Sequence, residues 1–213
     1  MNNSFDSAQY KNKVQKRFDA LSSEFNRKSI PYFRNKRAEL IAKYLSAGDK
    51  VLEIGCGSGN LMSVLDHGSF GLDLSFAMIC ECRKIDAESK LLVADAEKLP
   101  IRSSSFDKVV LSEVLYYLPD FQRALGEVAR ILNPQGLLLL TSLNGRYNFI
   151  KNLVGVLGVG IHDGISLPYP YLSKIKNALV EHFTVEEVVA IPLKYIAPQY
   201  SPVYFIAARK RHA

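Results

Sequence analysis

The sequence predicts an α/β fold, a doubly wound and mostly parallel sheet with helices on both faces and an antiparallel hairpin at its C-terminal edge. Short apolar runs alternate with helical segments between residues 50 and 142, which is typical of a parallel sheet with crossover helices. The runs are continuous rather than alternating, as expected for strands that are buried on both faces. No crossover helix fits between the last two runs, so we expect them to pair antiparallel.

The elements follow from apolar spacing and from the residues that interrupt it. Two helical segments come first, and Pro31 separates them. Seven strands are then predicted at residues 50–54, 70–74, 91–94, 106–111, 137–142, 183–191 and 203–209. Helical segments are predicted at residues 60–66, 75–84, 121–132 and 171–181, the second with Ser75 as its N-cap and the third ended by Asn133 and Pro134.

The positive charge lies at one end of the chain. Residues 1–50 carry 11 Lys and Arg against 5 Asp and Glu, whereas residues 51–213 carry 16 of each sign, so the first segment alone accounts for the net +6. We interpret residues 1–48 as a basic helical arm or cap, and residues 49–213 as the main domain with an apolar, Gly-rich insert at residues 144–170. The arm is either a solvated helix face or a surface for an anionic partner.

Several classes of protein are excluded or disfavoured by composition. The chain has 213 residues, 48% of them hydrophobic, but no run of 18 apolar residues that would span a membrane. No apolar segment near the N-terminus resembles a signal peptide. Cys56, Cys80 and Cys82 form no C-x-x-C pair and have no histidine cluster nearby, so we expect no metal site. Reduced thiols are typical of a cytoplasmic protein.

A glycine-rich loop follows the first predicted strand. Residues 51–60 read VLEIGCGSGN, and such glycines let a ligand approach the backbone closely. The spacing is G-x-G-x-G, whereas dinucleotide-binding enzymes carry G-x-G-x-x-G, which disfavours a nicotinamide-dependent oxidoreductase. Glu53 stands two residues before the first glycine. Its carboxylate would repel a pyrophosphate and suits a cationic ligand such as an amino group or a sulfonium.

The next two strands also end in carboxylates. Asp73 lies twenty residues after Glu53, and a carboxylate at the tip of the second strand can accept both hydroxyls of a ribose. The third strand ends in Asp95 and Ala96, where a carboxylate and a backbone amide can hold the edge of an adenine. Carboxyl ends of parallel strands meet at one edge of an open sheet, so these residues predict a single nucleoside-containing site.

With these residues in place, the chain resembles the class I S-adenosylmethionine-dependent methyltransferases. Within that family it is most similar to the small-molecule branch that includes the ubiquinone and menaquinone biosynthesis methyltransferases. The matching stretches fall in order across about residues 30–145, at residues 51–60, 71–75, 94–100, 105–107, 112–120 and 127–136. The resemblance implies a Rossmann-like, seven-stranded sheet and S-adenosyl-L-methionine as the cofactor.

The resemblance also implies roles for individual residues. It implies eight cofactor-binding residues: Glu53, Gly55 and Gly57 along the methionine part, Asp73 at the ribose, Leu74, Asp95 and Ala96 at the adenine, and Ser112 near the amino group or the methyl. The chain departs from the family at Tyr116-Tyr117, where members often carry His-His, and at Pro134-Gln135-Gly136, where they often carry Pro-Gly-Gly.

Few side chains are candidates for the catalytic base. Glu113 follows the fourth strand, and Tyr117 could line the acceptor pocket. His162, beside Asp163, lies in the insert, which is either a packed helix or a lid over an apolar acceptor. His67 and His182 are expected at the surface.

We therefore expect in-line transfer of a methyl group to a small-molecule acceptor that is apolar or anionic, with peripheral membrane contact as a further option. The alternatives are an RNA or protein methyltransferase that uses the basic arm, a nicotinamide-dependent oxidoreductase, and a non-catalytic cofactor-binding protein. Nucleic acid is disfavoured because the sequence has no Asp/Asn-Pro-Pro-Tyr after the fourth strand and no Pro-Cys nucleophile. The oligomeric state is not indicated.

Overall fold

The computed structural model describes residues 6–25, 31–65, 69–148, 165–191 and 201–211. The α-helices in these ranges are α1 (Ser7–Leu21), α2 (Pro31–Ala42), α3 (Phe76–Ile85), α4 (Phe121–Ile131) and α5 (Leu172–Leu179). The strands are β1 (Val51–Ile54), β2 (Phe70–Asp73), β3 (Lys90–Val93), β4 (Phe106–Ser112), β5 (Leu132–Leu143), β6 (Phe183–Ile191) and β7 (Val203–Lys210).

The seven strands form one sheet in the order β3-β2-β1-β4-β5-β7-β6. The pairs from β3 to β5 are all parallel, and β7 pairs antiparallel with both β5 and β6. The predicted α/β fold with its C-terminal antiparallel hairpin is confirmed. Because β2 and β4 lie on opposite sides of β1, the strand order reverses at β1, and ligands of open sheets bind at such a point.

Helices cover both faces of the sheet. Leu52, Leu111 and Leu138 point to the face covered by α4 and α5, while their chain neighbours Val51 and Val110 point to the opposite face. That second face is covered by α2 and α3 and by the turn at Met62–Val64. Side chains of a strand alternate between faces, so strands that bury both sets need apolar residues in succession. Burial of both faces of the strands therefore explains the continuous apolar runs of the sequence.

Two elements differ from the prediction. Strand β5 begins at Leu132 rather than at residue 137, because Leu132 already pairs with Phe106 directly after α4 ends. The chain then turns through Gln135, which has a φ of 65° where the family often has glycine. The second difference is β3, whose residues are largely exposed because β3 is the edge of the sheet. The boundary at residue 48 stays a prediction.

The first helix, α1, lies at the carboxyl edge of the sheet. Val14 of α1 is buried, and the Asp19 carboxylate at the end of α1 accepts hydrogen bonds from the Ser75 hydroxyl and from the Ala77 amide at the start of α3. Ser75 is the N-cap of α3, as predicted, and its hydroxyl accepts from the Met78 amide at 3.1 Å. These contacts fix the end of α1 against the start of α3, just after the end of β2.

Candidate functional site

A cavity of about 390 Å³ opens at the carboxyl edge of the sheet. The ends of β1, β2, β3 and β4 form its floor, and side chains from α1 and α2 close it from above. Its volume is typical of a small-molecule site. All eight residues that were predicted to contact a cofactor line this cavity: Glu53, Gly55, Gly57, Asp73, Leu74, Asp95, Ala96 and Ser112.

The glycine-rich loop is held tightly against its neighbours. The amides of Gly55 and Cys56 both donate to the Leu72 carbonyl, at 2.7 and 3.0 Å. Gly55 has a φ of +72°, and a Cβ there would lie 2.3 Å from Cγ2 of Val114. Only glycine fits this position, because another residue would be strained and would clash with the loop after β4. Gly59 likewise packs against α3, where a Cβ would lie 3.0 Å from Sγ of Cys82.

Glu53 is a buried carboxylate on the floor of the cavity. It is 3% exposed, and its Oε2 atom has no hydrogen-bond partner among the described residues. Burial raises the pKa of Glu53 well above its usual range, and the nearby Cys82 and Asp73 raise it further. A buried carboxylate oxygen without a partner is costly unless a cation or a donor reaches it. The cavity therefore contains a position suited to a cationic or hydrogen-bond-donating ligand group.

Asp73 ends β2 and is fixed by the backbone around it. Its carboxylate accepts hydrogen bonds from the Gly57 amide at 2.9 Å and from the Ser75 amide at 2.8 Å. Burial raises the pKa of Asp73, although these backbone hydrogen bonds counteract the rise. The side chain thus links the glycine-rich loop to the start of α3 and faces the cavity.

Asp95 follows β3 and is reached by a lysine from the N-terminal helix. The Asp95 carboxylate accepts from the Glu97 amide at 2.9 Å and from Nζ of Lys11 at 2.7 Å. Lys11 also donates to the Glu97 carboxylate, whose side chain is only 5% exposed. Burial lowers the pKa of Lys11, but the hydrogen bonds to the two carboxylates outweigh this and raise it overall. Part of the arm's positive charge therefore neutralises acidic residues of the main domain.

Glu113 is held at the end of β4 in an unusual backbone conformation. Its φ is 61°, which is rare for a residue with a side chain and is found at functional sites. The carboxylate accepts hydrogen bonds from the Thr141 hydroxyl at 3.0 Å and from the Tyr116 hydroxyl at 2.9 Å. Thr141 also hydrogen-bonds with Ser112 at 2.9 Å. Nη1 of Arg37, on α2, lies 3.8 Å from Oε1 of Glu113.

Aromatic rings line the side of the cavity near β4. The Tyr117 ring meets the Phe18 ring of α1 with centroids 5.0 Å apart, and the Tyr116 ring meets the Tyr169 ring at 4.9 Å. Tyr116 is buried, and burial together with the neighbouring Glu113 raises its pKa well above the usual range. Both tyrosines that replace the family's histidines line the cavity.

The described end of the insert packs against the same aromatic wall. The Leu167 amide donates to the Tyr116 carbonyl at 2.8 Å, and the Tyr10 hydroxyl of α1 donates to the Ile165 carbonyl at 2.9 Å. The predicted base His162 and its neighbour Asp163 lie outside the described residues, as does His67. His182 is partly exposed just after α5 and does not line the cavity.

Sequence reasoning missed three residues that join the N-terminal segment to the site, of which Lys11 and Arg37 line the cavity. Lys11, Asp19 and Arg37 all belong to the N-terminal segment, and each contacts or approaches a residue at a strand end. The sequence showed that this segment was basic. It carried no signal that could select Lys11 and Arg37 among 11 basic residues, because their positions follow from how the helices dock.

In the part of the chain that the structure describes, no group of three His, Cys, Asp or Glu side chains could hold a metal ion. None of the helices described there combines the length and the hydropathy needed to cross a bilayer.

Comparison with known proteins identifies the central part of the chain. Residues 52–140 match a family described as "Methyltransferase domain". The fatty-acid O-methyltransferase of Mycolicibacterium smegmatis is 36% identical over 135 residues, which are 60% of this chain and 47% of that protein. The aklanonic acid methyltransferase DauC of Streptomyces sp. (strain C5) is 34% identical over 145 residues, 62% of this chain and 66% of that protein. The chain spans about half the length of the curated relatives that it matches first.

The fold also has solved counterparts. The crystal structure of a SAM-dependent methyltransferase from Thermotoga maritima superposes on this chain with a TM-score of 0.73 at 19% identity. The superposition covers 92% of this chain and 99% of that one. At this identity the match supports the fold, while the chemistry has to be argued from the residues of the cavity.

Proposed function

We propose that this chain, whose residues 52–140 match a methyltransferase family, is a class I S-adenosylmethionine-dependent methyltransferase that binds S-adenosylmethionine and transfers its methyl group to a small-molecule acceptor. The observation that carries the proposal is the buried Glu53 carboxylate, which lines the cavity together with the other predicted cofactor residues and has one oxygen without a hydrogen-bond partner among the described residues. S-adenosylmethionine has an ammonium group at its methionine end, which can satisfy such an oxygen.

The residues of the cavity fit the other parts of the cofactor. Asp73 would accept the ribose hydroxyls, while Asp95 and the Ala96 amide would hold the adenine edge, with Leu74 against the ring. Gly55 and Gly57 leave room for the methionine part to approach the backbone, because neither has a side chain that would fill the cavity. Ser112 would lie beside the methionine part or the methyl. When bound, S-adenosylmethionine supplies a methyl group that is already activated by its positive sulfur.

The protein's own contribution is alignment and exclusion of water. Holding the acceptor in line with the methyl can lower the barrier by about 7–11 kcal/mol. Phe18, Tyr117 and Tyr169 form an apolar wall where the acceptor would lie. Glu113 accepts hydrogen bonds on both oxygens, so we assign it a positioning role rather than that of a free base.

The positions of three basic residues of the arm argue against an RNA substrate. Lys11 is engaged with Asp95 and Glu97, Lys36 pairs with Glu39, and Arg37 faces the cavity rather than the outer surface. A nucleic-acid surface would need such cations to be free for phosphates. Two relatives are named for small-molecule acceptors, a fatty acid and aklanonic acid, and this also favours a small-molecule acceptor for this chain.

Calorimetric titration tests the cofactor assignment directly. We expect the chain to bind S-adenosylmethionine and S-adenosylhomocysteine and not NADH. The variant Asp73→Asn should weaken binding by about 10-fold to 100-fold, because hydrogen bonds to a charged group contribute about 1.5–3 kcal/mol.

The matched control is Asp107→Asn, the same substitution at the opposite edge of the sheet, where Asp107 accepts from the Lys50 amide at 2.9 Å. This variant should keep the wild-type affinity. Binding of NADH in place of the two sulfur compounds would contradict the proposal, as would equal losses in the two variants.

A further inference from the structure

Arg37 is a cation inside the cavity that the cofactor assignment leaves unused. It extends from α2, and its side chain is 19% exposed. Its Nε atom is buried without a hydrogen-bond partner among the described residues. Its Nη1 atom lies 3.8 Å from Glu113, which is too far for a hydrogen bond. A partly buried guanidinium whose Nε has no such partner and whose Nη1 is too far from Glu113 for a hydrogen bond is suited to bind a planar anion.

The position of Arg37 assigns it to the acceptor side of the cavity. Seven of the eight predicted cofactor contacts lie at the ends of β1, β2 and β3, whereas Glu113 follows β4 on the other side of β1, next to Ser112, the contact predicted beside the methyl. Arg37 faces Glu113, and it also lies near enough to Glu53 to counteract the rise in that group's pKa. The guanidinium therefore stands between the methionine end of the cofactor site and the space beyond it.

The space beyond it is apolar. Phe18 and Phe33 of the N-terminal helices, with Leu143 and Val203 of the paired strands β5 and β7, line the same cavity as Arg37. A polar cofactor leaves these side chains without a complementary surface. These side chains suit a largely apolar ligand, and the Arg37 guanidinium can bind one anionic group at the end of that ligand.

The groups around this space restrict which acceptor atom can react. Both Glu113 oxygens accept hydrogen bonds, the pKa of Tyr116 is raised, and no histidine in the described ranges lines the cavity. None of these described groups is prepared to remove a proton from an alcohol. A carboxylic acid needs no such base, because it is already ionised near neutral pH.

We propose that the acceptor is an apolar carboxylic acid whose carboxylate is held by Arg37, and that the product is its methyl ester. This rests on the proposed function. A carboxylate oxygen forms the new O–CH₃ bond while the C–S bond of the sulfonium breaks, and the electron pair of that bond stays on sulfur. The carboxylate and the sulfonium lose their opposite charges together, and no proton is transferred.

Binding measurements with S-adenosylhomocysteine present test the proposal. The probes are dodecanoate and 2-naphthoate, each compared with its alcohol, 1-dodecanol or 2-naphthalenemethanol. We expect at least one acid to bind about tenfold or more tightly than its alcohol, since a charge-assisted pair to Arg37 contributes on this scale. Arg37→Gln should abolish the preference, and Arg37→Lys should keep part of it.

Lys36→Gln is the matched control, because Lys36 is the neighbouring, exposed cation on α2 and pairs with Glu39 at 2.6 Å. This variant should keep the preference for the acid. With S-adenosylmethionine added, the preferred acid should be converted to its methyl ester, detected by mass spectrometry.

Three outcomes would overturn the assignment. One is that neither acid binds more tightly than its alcohol. Another is that Arg37→Gln leaves the preference intact. The third is that Arg37→Gln weakens S-adenosylhomocysteine about tenfold and leaves 5′-methylthioadenosine unchanged, because Arg37 would then hold the carboxylate of the cofactor itself. If wild-type protein fails to bind S-adenosylhomocysteine at all, it is the proposed function that falls.

Discussion

The proposed cofactor half of the cavity lies at the ends of β1, β2 and β3, and the proposed acceptor half lies between α2 and the ends of β4, β5 and β7. The two halves are built in different ways. In the cofactor half, the contacts join residues that are close in sequence, such as the Gly57 amide and Asp73, which are 16 positions apart. In the acceptor half, the contacts span the chain, as between Tyr10 and Ile165, which are 155 positions apart. A local motif encodes the first half, whereas docking of separate helices and strands assembles the second.

The halves also differ in their electrostatics. The cofactor half presents the carboxylates Glu53, Asp73 and Asp95, and burial raises the pKa of the first two. The acceptor half presents aromatic rings and the Arg37 guanidinium. A ligand with an ammonium group and a ligand with a carboxylate would therefore be directed to opposite ends of one cavity, which is the arrangement that a two-substrate transfer needs.

The largest effect is expected where the two halves touch, at Gly55. Gly55→Ala would force a Cβ to within 2.3 Å of Val114 in a backbone with a φ of +72°. Crowding of this kind costs about 1–3 kcal/mol, and the left-handed conformation adds about 1–2 kcal/mol. We expect the free energy of unfolding to fall by their sum and cofactor binding to be lost, as measured by chemical denaturation and calorimetry.

Gly48→Ala separates the two causes, because Gly48 has a φ of +87° but nothing within 4 Å of the added Cβ. This variant should lose only about 1–2 kcal/mol and keep its cofactor affinity. Equal losses in the two alanine variants would show that the contact between the glycine loop and Val114 has no special importance.

The sequence predicted the half that local contacts build. Continuous apolar runs gave seven strands and placed Glu53, Asp73 and Asp95 at strand ends, because parallel strands all present their carboxyl ends at one edge. The start of β5 was predicted five residues late, since Leu132 pairs with Phe106 immediately after a helix and no turn residue marks the change. The roles of Lys11 and Arg37 depend on the docking angle of α1 and α2, which periodicity does not encode.

A second prediction concerns the protonation of Glu53. Its pKa in the folded chain is raised well above the ordinary value of 4.5. The ligand-free protein therefore holds a proton there at pH values where a free carboxyl is ionised, and an ammonium group that binds beside it favours the ionised form. We expect cofactor binding at pH values between 4.5 and the raised folded pKa to release protons, up to about one per site, measured by calorimetry in buffers of different ionisation enthalpy.

Glu53→Gln is the matched variant, and it should bind cofactor more weakly without releasing these protons. The stability that proton binding by Glu53 contributes is complete below pH 4.5 and is lost as the pH rises through the raised folded pKa. Glu53→Gln should therefore flatten the decline in unfolding free energy above pH 4.5 and be relatively more stable at neutral pH. The same proton release in both proteins would rule out Glu53 as its source.

The smallest effect is expected at Lys11, which joins the N-terminal helix to the acidic end of β3. Its pairs with Asp95 and Glu97 are partly buried, with side chains that are 19%, 32% and 5% exposed. Water and salt weaken the attraction within ion pairs that are partly exposed. Lys11→Ala should therefore lower the free energy of unfolding by only about 0.5–1 kcal/mol. Local opening of α1 should increase more clearly, because this ion pair joins α1 to the end of β3.

Hydrogen exchange of the α1 amides measures this opening, with Lys13→Ala, at an exposed lysine of the same helix, as the control. Faster exchange in Lys11→Ala alone, and a smaller difference at high salt, would show that an ion pair ties the arm to the main domain. If both variants exchange like the wild type, packing of Val14 and Phe18 is enough to hold α1 in place. The acceptor half would then depend on apolar contacts alone, and the charge of the arm would have no part in closing the cavity.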